Sequence, residues 1–147
     1  MNSMLRVFCL LLPVAIAVGC GDQSGPPLGK VTGTVKLDGV PVEGAGLEFV
    51  GDAGGVSYGR TNASGNYYLS FGSSRTGALV GRNVVRITAG DKVRVGKKKY
   101  ESTELFAKKY NAESQLVVEV ARGSNRFDFD CKSAGDTPRQ TISRGGN

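Results

Sequence analysis

From Lys30 to Leu37 the chain alternates: Val31, Gly33, Val35 and Leu37 fall on one side, Lys30, Thr32, Thr34 and Lys36 on the other. A period of two puts one set against a core and the other in water, which predicts a half-buried strand. Asp38-Gly39 closes it as a tight turn, because glycine tolerates positive φ. Leu47 and Phe49 open a second short strand, and residues 51–55 are glycine-rich enough to be its loop. Residues 56–61 return, Asn62-Ala63-Ser64-Gly65 turns again, and Tyr67, Leu69 and Phe71 face the core from a fourth strand, giving two successive hairpins. After a polar loop over residues 72–77, Val85, Ile87 and Ala89 line one face of a fifth strand. Residues 90–114 break the alternation and are predicted as a long functional or mobile connection, with one or two helical turns between Ser102 and Tyr110. Leu116, Val118 and Val120 make a sixth strand, residues 122–125 a turn, and residues 126–131 a seventh. Nearly every residue from Lys132 on is polar or small, and this stretch is predicted to be a disordered tail.

Seven short strands at this spacing predict an all-β domain: a seven-stranded antiparallel Ig-like or transthyretin-like β-sandwich over residues 30–131, with a closed barrel as the alternative. Neither tryptophan nor the Cys-Trp-Cys pattern of true immunoglobulin domains is present, so that likeness is architectural.

The first 20 residues follow a different pattern. Arg6 precedes an uncharged, apolar run from Val7 to Val18 that ends in Gly19-Cys20, which is how an export signal is built. The run is short against the ~20 residues a membrane-spanning helix needs, and Pro13 interrupts it. Ala17-Val18-Gly19-Cys20 resembles the bacterial lipoprotein processing box, with Ala17 where leucine is usual. The resemblance implies a signal peptide over residues 1–19, lipidation of Cys20 and a tether over residues 20–29, so the mature chain would hang from a membrane by lipid, outside the cytoplasm. Ordinary signal-peptidase cleavage and a retained apolar anchor are the alternatives.

A second resemblance begins at Val31. Gly33-Thr34-Val35, Pro41-Val42-Glu43-Gly44-Ala45 and the segment from Thr61 to Leu69, TNASGNYYL, are similar to the carboxypeptidase regulatory-like domain. That is a transthyretin-like sandwich, and the ending of the chain looks like the small planctomycete-type lipoproteins that carry it. The resemblance covers residues 30 to about 71. It implies the fold, and no particular activity, because this scaffold hosts unrelated roles.

Composition narrows the chemistry. The chain of 147 residues has no histidine, which excludes a Ser-His-Asp triad, a Cys-His pair, a His-containing zinc site and a histidine general base. Of its 3 cysteines, Cys9 leaves with the signal, Cys20 takes the lipid, and Cys131 alternates with Asp130 and Lys132 as a small buried hydrophobe. Asp128 and Asp130, or Glu101 and Glu104, are the conceivable carboxylate pairs for a cation, with a solvated strand face as the plainer reading. No catalytic residue, metal or cofactor is assigned, and the formal net charge of +6 is too diffuse to suggest nucleic acid.

Two features carry binding chemistry. The run Lys92, Arg94, Lys97, Lys98, Lys99, followed by Tyr100, suits an anionic lipid surface or an acidic polysaccharide; the alternative is a charged loop that discourages edge-to-edge sheet pairing. Tyr58, Tyr68, Tyr100 and Tyr110 could stack on sugars, and Tyr68 alone is placed outward by its alternation beside Tyr67. The sequence therefore predicts a non-catalytic envelope module that binds protein or serves a structural role, with acidic polysaccharide as the alternative ligand.

Overall fold

The computed structural model describes residues 25–101 and 104–134. The signal, Cys20, the start of the tether, the Ser102 cap and the tail from residue 135 lie outside them.

The described chain is all-β, with its sheets folded together in a sandwich-like arrangement. Its strands are β1 (Leu28–Leu37), β2 (Val40–Gly51), β3 (Val56–Arg60), β4 (Asn66–Phe71), β5 (Arg75–Thr76), β6 (Ala78–Leu79), β7 (Gly81–Val95), β8 (Lys98–Glu101), β9 (Leu116–Val120), β10 (Gly123–Arg126) and β11 (Phe129–Cys131). Main-chain pairing runs in the order β10-β1-β4-β3-β2-β7-β8. β1 also pairs with β2 at Lys36–Pro41 and Leu37–Val40, so β1, β4, β3 and β2 close into a four-stranded circuit. The barrel alternative thus holds for one part of the fold.

Alternation sets the core. In β1 Val31, Val35 and Leu37 are buried while Lys30, Thr32 and Lys36 are not, and Asp38 and Gly39 take φ of 50° and 81° in the turn to β2. Phe49 and Leu47 from β2, Leu69 and Tyr67 from β4, and Ile87 and Val85 from β7 fill the interior. Phe49 lies against Tyr67, Phe127 and Phe129 with ring centroids 6.2–6.4 Å apart. Burying a side chain of that size contributes about 1.5–3 kcal/mol. Cys131 is buried at the end of β11, as expected, and burial pushes its thiol up to about 12.

Several predicted elements are corrected. Among the described residues there are eleven strands where seven were expected, and β10 and β11 run parallel to β1, so the fold is not purely antiparallel. A parallel neighbour needs a long crossover, and most of the domain supplies it here. Gly123-Ser124-Asn125 has turn chemistry, yet it becomes β10 because β1 offers it an open edge; the Asn125 side chain spans Ala121 and the Lys30 carbonyl. The predicted loop over residues 72–77 contains β5, paired with β4. The first part of the supposed long connection is strand: β7 continues to Val95 and folds back as β8. Of the helical turns only a short 3-10 turn at Lys108–Tyr110 forms, because Leu105 and Phe106 are drawn into the core. Pairing starts at Leu28, inside the expected tether, and persists past Cys131, where the Ala134 N–H donates to Leu105 and the Ala107 N–H to Lys132.

Candidate binding surface

β2 bends where it meets the end of β7. Between Glu43 and Ala45 the register with β7 slips, leaving Gly44 as a bulge at φ 84°. That conformation favours glycine, and a Cβ there would stand 2.6 Å from the Lys92 carbonyl oxygen. Thr61 locks the bulge: its hydroxyl accepts from the Ala45 N–H at 2.8 Å, and its carbonyl accepts from the Gly44 N–H. The result is an open groove of about 420 Å³, lined by Glu43, Arg60, Lys92, Arg94, Lys99, Tyr100 and Glu101 among others.

The predicted basic run is divided by the β7–β8 hairpin. Lys99 stands opposite Arg94 and lines the groove, whereas Lys98 stands opposite Val95 and Lys97 sits in the turn, both outside the lining. Tyr100 is half-buried against the core and shows only part of itself to the groove. Arg94 is held by Glu43 at 3.5 Å. Four cations against two carboxylates leave the lining with a modest positive excess.

Next to the groove is a shallower depression of about 320 Å³ on β3 and β4, formed by Tyr58, Gly59, Arg60, Tyr68 and Ser70. Tyr68 is 66 % exposed, as its alternation predicts, and Tyr58 is 55 % exposed. Tyr58 stands opposite Ser70 and Gly59 opposite Leu69, and both rings and Arg60 line the same depression on this outward face. Tyr58 and Tyr68 are then diagonal neighbours, ~7–8 Å apart in such a ladder. Sequence reasoning missed Arg60, and it counted Tyr58 among the possible stacking rings without placing it outward. The alternation Tyr58, Gly59, Arg60 was visible, but the register that brings it beside Tyr68 was not.

Arg60 belongs to both hollows. Its guanidinium lies over two glycines: a Cβ on Gly90 would stand 2.8 Å from Nη2 and one on Gly44 3.7 Å from it. Arg82, Arg86, Arg94 and Arg126 each pair with a carboxylate; Arg60 has no such partner among the described residues.

The carboxylate candidates resolve differently. Asp128 accepts from the Thr34 N–H and hydroxyl, both at 2.8 Å, and pairs with Arg126; the Thr34 hydroxyl first, and Arg126 after it, hold its carboxyl below the usual range. Asp130 accepts from the Gly39 N–H at 2.9 Å. Glu104 accepts from the Ala89 and Phe106 N–H groups. These side chains satisfy backbone donors, and no cluster of three or more metal-binding side chains occurs among the described residues. No helix among them is long and apolar enough to cross a membrane. Comparison with family models, with curated proteins and with solved structures finds no match to this chain.

Proposed function

We propose that the chain is an exported lipoprotein, held through lipid on Cys20, whose transthyretin-like sandwich of the carboxypeptidase regulatory-like kind is a non-catalytic binding module of the cell envelope. The signal-like pattern of residues 1–20 and the absence of histidine support this reading. Among ligands, a polysaccharide suits the surface best. The observation that carries it is the exposed pair Tyr58 and Tyr68 flanking an arginine at the mouth of a groove. Aromatic faces with a polar tip stack on sugar rings while the hydroxyl stays wet, and the pair needs no induced change to be reached.

Affinity electrophoresis of the full chain in detergent through gels containing polysaccharide tests the reading. Retardation of the wild type that is lost in Tyr58→Ala/Tyr68→Ala supports it; equal mobility with and without polymer sinks it. A protein partner is the second reading, favoured by β9: this strand, Leu116–Val120, pairs with β7 on one side and leaves Val117 48 % exposed. Capture of one defined envelope protein, lost in Val117→Lys and unaffected by the tyrosine changes, would establish that reading instead.

A further inference from the structure

We propose that Arg60 is a carboxylate-recognising subsite, so that the polysaccharide this surface takes is one that carries uronic-acid sugars. The inference rests on the polysaccharide reading above and deepens it.

Three observations lead there. Arg60 is exposed and has no carboxylate partner among the described residues, in contrast to four other arginines of the domain. Its guanidinium is seated: Gly44 and Gly90 present no side chain beneath it, and a methyl group on Gly90 would stand 2.8 Å from Nη2. It also stands where the tyrosine face meets the groove, within reach of a chain that lies across both. A planar guanidinium with parallel N–H donors takes a carboxylate bidentately, and a seated side chain loses less freedom on binding.

The groove selects among anions. Glu43 and Glu101 line it beside Lys92, Arg94 and Lys99, so its positive excess is small. A single carboxylate is matched by Arg60 alone, whereas a dianionic phosphate or a densely sulfated chain asks for more positive charge than this small excess supplies. Sugar rings on Tyr58 and Tyr68 would place an adjoining sugar's carboxylate over Arg60. Stacking then supplies affinity common to all sugars, and the arginine supplies the distinction between acid and neutral chains.

The experiment compares polygalacturonate, its methyl ester and dextran sulfate as gel-immobilised probes, with the full chain in detergent at physiological salt. The wild type should bind the acid at least about tenfold more tightly than the ester, as expected for a hydrogen-bonded charged pair. Arg60→Gln and Gly90→Ala should both bring the two polymers together while still binding the ester. The glycine change reaches the same end by displacing the guanidinium without removing it, and unchanged thermal unfolding shows that each variant is folded. Equal binding of acid and ester by the wild type, or a preference that survives in Arg60→Gln, overturns the role of Arg60 and leaves the tyrosine surface standing. Tighter Arg60-dependent binding of dextran sulfate overturns the carboxylate assignment. Failure of all three polymers removes the polysaccharide reading itself.

Discussion

Two charged regions of this domain are built from similar materials and put to different ends. Along β10 and β11, Asp128 and Asp130 stand two apart on an outward face, with Arg126 beside them. Around β3, Arg60 also alternates outward, next to Tyr58. The first region has spent its charge: the aspartates accept from Thr34 of β1 and from Gly39 in the turn that follows it, and fasten the end of the described chain to its first strand. The second has kept it, for Arg60 lies on glycines with no acidic partner among the described residues. Spacing alone does not separate a fastening from a binding site; whether backbone donors have already claimed the charge does.

The sharpest way to break the first region is at Gly33. A Cβ there would stand 1.7 Å from the Phe127 carbonyl oxygen, the atom that also accepts from the Tyr67 hydroxyl at 2.8 Å. Gly33→Ala should therefore destabilise the domain by more than about 3 kcal/mol, read by urea unfolding. In the second region Tyr58→Ala/Tyr68→Ala should leave stability within about 0.5 kcal/mol, because both rings are exposed, while removing polymer retardation.

Acid separates the regions as well. Asp128 titrates below 3.8 in the folded chain, so its contribution is present at neutral pH and fades as pH falls through the folded value. Asp128→Asn should flatten the stability profile below pH 3.8, measured by thermal unfolding across the acid range, and leave polymer binding at neutral pH unchanged. Cys131 gives the smallest effect and the opposite sign. Its thiol is held neutral up to about 12, so stability is complete below the ordinary value of 9.0 and declines above it. An alkylating reagent at pH 8 should label Cys131 in urea and not in the native protein.

Within the basic run, position matters more than number. Lys99→Ala should weaken binding of an acidic polymer modestly, whereas Lys97→Ala and Lys98→Ala should not, since only Lys99 lines the groove. Equal losses from all three would show that diffuse charge, and not the groove, attracts the polymer.

How much of this was legible follows from which forces are local. Val31, Val35 and Leu37, the Asp38-Gly39 turn and the placement of Tyr68 could be read because alternation and turn chemistry act over a few residues. The second half of β7 was misread, although Val93 and Val95 do alternate with Lys92 and Arg94; the interruption at Gly90 and Asp91 hid the continuity. β10 was misread because its residues favour turns and only the far edge of β1 makes them a strand. Arg60 was invisible as a site for the same kind of reason: its seat is made by Gly44 and Gly90, and its neighbours by β4 and β7.

β1 also sets a direction. Its Leu28 end lies with Leu79 and Gly123, while its Leu37 end turns into the part of β2 that, paired with β7, forms the groove wall. Ten residues of strand separate the two ends, about 30 Å. Tyr68 stands opposite Thr32, near the middle of β1, and Tyr58 opposite Ser70 beyond it on the Leu28 side, whereas the groove walls of Glu43 and Arg94 stand toward the Leu37 end. Were the chain tethered at its Leu28 end as proposed, the length of a single strand would become a ruler: it would hold the far side of the groove several Debye lengths at physiological salt from the attachment point, with the tyrosines between.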